Sequence, residues 1–268
     1  MMNDMTLNDG RTMPRLGLGT YQIPDSQVAA VVRRGLDLGY RLIDTAAIYH
    51  NERGVGEGLH AAEGAFVTTK LWNDRHEDAA AAAEESLALL GLDAVDLYLI
   101  HWPRPEGETY LAAWEALVRL REAGLARSIG VSNFLPEQLD RIIEATGVTP
   151  AVNQIELHPR FQQRELRAHH EAHGIVTQSW SPLGQGGDIL SDPAVLGVAE
   201  KHGRSAAQVI LAWHLRHGFS VIPKSADPGR LAENFAAPEV ALDEEDIAAF
   251  DALDRADGRI GPDPRRFG

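Results

Sequence analysis

The chain has 268 residues, 44% hydrophobic and 24% charged, with no cysteine and a formal net charge of −14. That composition fits a globular protein with one sizeable core. It excludes disulfides, thiol nucleophiles and cysteine metal sites, and the negative charge argues against general nucleic-acid binding. No run approaches the roughly 18 apolar residues of a membrane span. The stretch Met1 to Arg15 lacks a charged-then-apolar leader pattern, so a cytoplasmic location is expected.

In chain order, Met5–Met13 reads as a β-hairpin turning at Asn8-Asp9-Gly10. Short apolar runs then recur as buried parallel strands: Leu16–Gly19, Arg41–Asp44, Phe66–Lys70, Val95–His101, Ser128–Ser132, Ala151–Glu156, Ile175–Ser181 and Phe219–Pro223. Helical patterns separate them. Asp25–Leu38 carries Val28, Val31, Val32 and Leu36 on one face, and Glu77–Leu90 stops at Gly91. Thr109–Ala123 stops at Gly124. Pro136–Ala145, Arg164–His173 and Pro228–Phe235 follow the same plan, and Gly203 splits two helices within Ser191–His217. An Asp243–Leu253 helix and a tail to Gly268 end the chain. Alternating strands and helices predict one domain over residues 1–268, an α/β fold closed as a (β/α)8 TIM barrel with an N-terminal hairpin and extra C-terminal helices. An open doubly wound sheet is the alternative.

A barrel keeps its chemistry at the C-terminal ends of its strands. There the sequence places Asp44 with Tyr49, then Lys70, His101, Ser132-Asn133, Gln154, Trp180 and Lys224. Asp44, Tyr49, Lys70 and His101 form a coherent set. A lysine ammonium beside a tyrosine favours its phenolate, an aspartate holds the lysine, and a histidine can orient a carbonyl oxygen. Taken singly, these residues also read as a capping aspartate, a core tyrosine, a solvated lysine and a core histidine.

The ordered motifs resemble the aldo-keto reductase family over nearly the whole chain. They are Gly39-Tyr40-Arg41-Leu42-Ile43-Asp44 through Tyr49, Thr69-Lys70-Leu71-Trp72, and Asp96-Leu97-Tyr98-Leu99-Ile100-His101-Trp102-Pro103. Gly130-Val131-Ser132-Asn133-Phe134, Asn153-Gln154-Ile155-Glu156-Leu157-His158-Pro159 and Ile222-Pro223-Lys224-Ser225 complete the series. Within the family the chain looks most like the bacterial 2,5-diketo-D-gluconate reductases.

The resemblance implies NADPH-dependent reduction of an aldehyde or ketone, with Tyr49 as acid, Lys70 and Asp44 tuning it, and His101 orienting the carbonyl. It implies nicotinamide stacking on Trp180 and carboxamide contacts from Ser132, Asn133 and Gln154. Lys224, Ser225 and Arg230 match the 2′-phosphate contacts, and Glu233 and Asn234 the adenine contacts. The loop through Ser181, Leu183 and Gly184 would pass over the pyrophosphate. From the residues themselves, Lys224 and Arg230 flank a helix start at Asp227-Pro228, a phosphate-binding arrangement that favours NADP+ over NAD+. A monomer is expected from the resemblance. A cofactor-binding regulatory barrel with little turnover is the second reading, and a phosphate-handling barrel isomerase or aldolase the third.

Tyr21, Trp72, Trp102 and Phe134 stand beyond strand ends and are expected, with His101, to line the substrate mouth. Arg259, Arg265 and Arg266 are candidate cations for an acidic substrate. Gly54-Val55-Gly56-Glu57-Gly58 lacks dinucleotide-loop spacing and is read as close helix packing. His169, His170 and His173 fall on one helix face and are read as solvated, so no metal site is expected. Leu59–Ala65 is shorter than the family pattern.

Overall fold

The computed structural model describes residues 4–59 and 64–267. Of the short segment Leu59–Ala65, residues 60–63 lie outside the described residues. The hairpin pairs β1 (Met5–Thr6) with β2 (Thr12–Met13). Eight parallel strands follow: β3 (Gly17–Gly19), β4 (Leu42–Asp44), β5 (Phe66–Leu71), β6 (Val95–Ile100), β7 (Ala126–Ser132), β8 (Val152–Glu156), β9 (Val176–Trp180) and β10 (Ser220–Val221). Their order in space is their order in sequence. Parallel bridges from Leu16 to Val221 and from Gly19 to Lys224 join the last strand to the first. The open sheet is thereby excluded, and the predicted barrel is the fold.

The helices are α1 (Asp25–Leu38), α2 (Glu52–Leu59), α3 (Ala79–Leu90), α4 (Tyr110–Glu122), α5 (Pro136–Thr146), α6 (Arg164–His173), α7 (Pro193–His202), α8 (Ala206–Arg216), α9 (Pro228–Phe235) and α10 (Glu244–Asp251). Two boundaries differ instructively from the sequence reading. The helix expected from Glu77 begins as a 3-10 segment, Asn73–Asp78, and becomes α-helical only at Ala79. The last strand shrinks to two residues.

Two apolar layers hold the barrel. The outer one packs strands against helices, with Trp114, Trp213, Ile43, Tyr98 and Ile129 all buried. The inner one, of Leu42, Phe66, Leu97, Leu99 and Val152, is closed from below by Leu7 and Met13 of the hairpin. Asn8 Nδ2 donates to Pro150 O (2.9 Å) and Ser128 Oγ to Asp9 Oδ2 (2.6 Å), fixing that plug. The bottom is therefore sealed, and access is left to the strands' C-terminal ends.

The glycine stretch is the close-packing element expected. A Cβ on Gly54 would lie 2.4 Å from Asp25 O, and one on Gly58 2.7 Å from Val32 Cβ. Only glycine lets α2 press so close to α1. This wedge seats the 3-10 turn Ala47–Tyr49 just ahead of it.

Candidate active site

Four consecutive strands bring the expected set together. Asp44 ends β4, Tyr49 follows in its 3-10 turn, Lys70 lies in β5, and His101 immediately follows β6. Lys70 Nζ donates to Asp44 Oδ1 (2.6 Å) and to Thr45 O (2.7 Å), with both charged side chains shielded from solvent. Gln154 Nε2 donates to Asp44 Oδ2 (2.7 Å), so both carboxylate oxygens are engaged. Burial pushes the Asp44 carboxyl up and the Lys70 ammonium down, while their contact opposes both shifts.

Lys70 Nζ stands 5.2 Å from the centre of the Tyr49 ring, and the His101 ring packs edge-on to that ring at 5.7 Å. Tyr49 is half-buried, so the ring is not walled off from the mouth. The tuning differs from the sequence expectation. The Tyr49 phenol is held well above its ordinary range, by burial first and then by the charges of Asp44 and Tyr21. The Lys70 ammonium is spent on Asp44, so the ring meets a nearly neutral pair rather than a bare cation. The consequence is a phenol that keeps its proton at neutral pH.

Burial and the Lys70 charge hold the His101 imidazole well below its usual range, so it is neutral at pH 7. Its Nδ1 is buried with no hydrogen-bond partner, and Asn133 Nδ2 holds its backbone carbonyl (3.0 Å). A neutral ring with Nδ1 as acceptor presents Nε2 as donor, the polarity a carbonyl oxygen needs.

Ser132, Asn133 and Gln154 lie side by side at the ends of β7 and β8. Their donors are committed. Ser132 Oγ donates to Gln154 O (2.7 Å), Asn133 Nδ2 to His101 O and Ser132 Oγ, and Gln154 Nε2 to Asp44 and Gln178 Oε1. Acceptor capacity on Asn133 Oδ1 and Gln154 Oε1 remains, which suits an amide NH2. Trp180 Nε1 donates to Asn133 Oδ1 (2.8 Å), fixing a half-buried indole face at the mouth. Asn133 (φ 65°) and Ser181 (φ 49°) both adopt the left-handed region, which side chains other than glycine seldom occupy. Such strain clusters at working sites. From Ser181 the chain turns through Leu183 and Gly184 into the predicted glycine loop, with Gly184 N bonded to Ser181 O (2.9 Å).

At the next edge, Lys224 and Arg230 are exposed and form no ion pair among the described residues. They flank the first turn of α9, whose cap is Asp227, accepting from Arg230 N (2.8 Å). Ser225 Oγ accepts from Asp227 N (3.1 Å) and braces the same turn. Glu233 is half-buried and Asn234 buried further along α9. Free cations, a helix start and a partly open tryptophan face are the donor set an NADP-type cofactor needs.

The rim differs from expectation at one residue. Tyr21 is exposed and packs on Tyr49 (5.1 Å), Trp72 packs on His101 (5.1 Å), and Trp102 faces Trp180 (6.3 Å). Phe134, expected with them, is fully buried and packs T-shaped on Tyr110 at 5.5 Å. After the left-handed turn at Asn133 its ring enters the strand–helix core rather than the mouth. Its place is taken by Phe267, which packs on Trp102 (4.7 Å) and Trp72 (6.3 Å).

The tail that carries Phe267 is anchored by a residue given no role by the sequence reading. The buried Glu156 carboxylate accepts from Ile260 N (2.7 Å) and Gly261 N (2.8 Å). A Cβ on Gly261 would lie 2.4 Å from the Trp180 ring, so the tail rests on the indole itself. Of the tail arginines, Arg259 stacks on Phe161 (4.6 Å) and Arg265 pairs with Asp263 (3.6 Å), leaving Arg266 without an ion pair among the described residues. Asn51, also unassigned from sequence, ties the loops around Tyr49 by donating to Thr20 O (3.0 Å) and Ile23 O (2.9 Å) and accepting from Thr45 Oγ1 (2.9 Å).

Comparison with known proteins agrees with this geometry. Residues 15–255 match the aldo/keto reductase family. The chain is 48% identical over 267 residues to methylglyoxal reductase DkgA of Salmonella typhimurium, covering 98% of this chain and 97% of that one. Among solved structures it is similar to a Gox0644 mutant in complex with NADPH, with a TM-score of 0.98 and 50% identity, covering 100% of this chain and 99% of that one. It is also similar to a Bombyx mori aldo-keto reductase in complex with NADP, with a TM-score of 0.87 and 36% identity, covering 94% and 92% respectively.

Proposed function

The chain belongs to the aldo/keto reductase family, and from that premise we propose that it reduces small uncharged carbonyls with NADPH, 2-oxoaldehydes ahead of keto acids. The observation that carries this is the Tyr49 ring beside both the Lys70–Asp44 pair and the neutral His101. When bound, NADPH supplies the hydride. The chain supplies the rest. His101 Nε2 donates to the carbonyl oxygen and orients it. As the carbon accepts the hydride, Tyr49 passes its proton to that oxygen, and the product is the alcohol. Lys70, held by Asp44, stabilises the phenolate left behind, and solvent restores the proton.

Trp180, fixed by Asn133, offers a face for the nicotinamide, with Ser132, Asn133 and Gln154 towards its carboxamide. Lys224, Ser225 and Arg230 would meet the 2′-phosphate, Glu233 and Asn234 the adenine, and Ser181, Leu183 and Gly184 the pyrophosphate.

The substrate preference rests on the rim. Tyr21, Trp72, Trp102 and Phe267 make it aromatic, and two of the three tail arginines are engaged elsewhere. A carboxylate or a polyhydroxylated chain finds few partners there. The relative named for methylglyoxal reduction supports this reading over a keto-sugar substrate. The reaction would class as oxidoreductase chemistry on CH–OH donors. An intact tetrad disfavours a regulatory barrel with little turnover. We extend the proposal to a cytoplasmic monomer: one chain supplies every residue of the site, and reduced nicotinamide pools are intracellular.

The test is a carbonyl panel assayed with NADPH and NADH in parallel. Methylglyoxal should show a higher kcat/KM than a keto sugar or a 2-keto acid, with NADPH preferred. A keto acid as the best substrate would overturn the assignment.

A further inference from the structure

The outer face of α5 and α6 carries a side-chain cluster that the reductase chemistry does not use. His169 and His173 are one turn apart on α6, with ring centres 4.3 Å apart. His170 does not share their face. It is fully buried, bonded to Asn153 Nδ2 (2.9 Å) and Thr177 Oγ1 (2.8 Å), so the three histidines divide between core and surface. Across from the outer two stands Asp140 of α5. Its Oδ1 lies 3.1 Å from His169 Nε2 and 3.9 Å from His173 Nε2, and the three ligand atoms fall within 4.8 Å of one another.

We propose that Asp140, His169 and His173 bind a divalent transition-metal ion of the zinc class as a structural clip between α5 and α6. Ligands at ordinary zinc distances in a tetrahedron stand roughly 3.4 Å apart, so small rotamer adjustments suffice here. The chemistry of each group fits. His173 Nδ1 lies 2.9 Å from His169 O, which can only accept, so Nδ1 carries the proton and Nε2 presents its lone pair. That backbone anchor is the usual support of a metal-binding imidazole. His169 Nε2 is shielded from solvent and has no aligned hydrogen bond despite its closeness to Asp140. A nitrogen lone pair and a carboxylate oxygen thus converge on one point, and a cation satisfies both. The C-terminus of α6 follows at Gly174, and its dipole favours positive charge there.

Imidazole and carboxylate ligands favour zinc, nickel and copper over magnesium or calcium. Three protein ligands leave the fourth position to water. The C-terminal end of α6 leads into the start of β9, at the sealed end of the barrel, so the ion stands apart from the reductase site.

The test uses full-length protein, free of any histidine tag and dialysed against EDTA. Titration with Zn2+ by calorimetry should give one site per chain. Saturating Zn2+ should raise Tm by about 3–6 °C, and Co2+ should give visible d–d bands. His169→Ala with His173→Ala should remove the site, and Asp140→Asn should weaken it at least tenfold. All three variants should keep wild-type NADPH oxidation with or without EDTA. Absence of binding up to millimolar Zn2+ overturns the proposal. So do equal binding by the double histidine variant and a pH-dependent Tm that metal does not change, the latter marking simple protonation.

Discussion

The ammonium of Lys70 sits 2.6 Å from Asp44 Oδ1 with both side chains shielded from solvent. A buried ion pair is a weak source of stability, but removing one partner strands the other at about 3–5 kcal/mol. Lys70→Met should therefore lose both stability and turnover. Asp44→Asn keeps the shape and the Gln154 contact, so it should cost less stability while kcat falls on the order of 10²-fold. Denaturant melts beside steady-state kinetics separate the two effects. Equal loss of stability in both variants would speak against an ionised pair.

Glu156 holds the tail with two backbone N–H groups. Glu156→Gln leaves one fewer acceptor oxygen for them and should loosen Phe267 on Trp72 and Trp102. KM for methylglyoxal should rise several-fold with kcat changed less, and amide exchange at Ile260 and Gly261 should quicken. Unchanged exchange would show that the tail is held by its packing on Trp180 instead.

Lys224 and Arg230 are exposed and unpaired, so their worth to a phosphate is discounted by solvent. Replacing Arg230 by alanine should weaken NADPH binding on the order of tenfold and leave NADH binding alone. Quenching of tryptophan fluorescence, Trp180 included, reads both affinities. A parallel loss for NADH would move the 2′-phosphate elsewhere.

Acid stability should be governed by buried neutral histidines. Burial depresses His170 to about 3 and His76 and His214 each to about 4, against an ordinary 6.5. Below 6.5 the unfolded chain binds protons that the folded chain refuses, so stability falls with pH through that window. Between pH 6.5 and 5.5 each should cost about 1 kcal/mol. His170→Asn should flatten part of that slope. A Tm independent of pH between 6.5 and 5.5 contradicts this account.

Much of this was legible in the sequence because local pattern and function coincide. Short apolar runs ending in Asp44, Lys70, His101 and Trp180 marked both the strands and the site. What escaped was set by long-range contact. Nothing near Glu156 announces that residues 260 and 261 return to it, nor does Phe267 advertise Trp102. Phe134 adjoins a site residue in sequence, yet a left-handed Asn133 turns it inward. Asp140 is far in sequence from His169, so a metal-binding trio was invisible where a histidine pair alone was seen. The direction of the Tyr49 shift depended on how completely Asp44 engages Lys70, which spacing cannot tell.

The most direct measurement is Tyr49→Phe, assayed for NADPH affinity and for single-turnover methylglyoxal reduction. The account predicts a Kd within about twofold of wild type and a rate lower by roughly 10²–10⁴. A phenylalanine variant that reduces methylglyoxal within tenfold of the wild-type rate would contradict it.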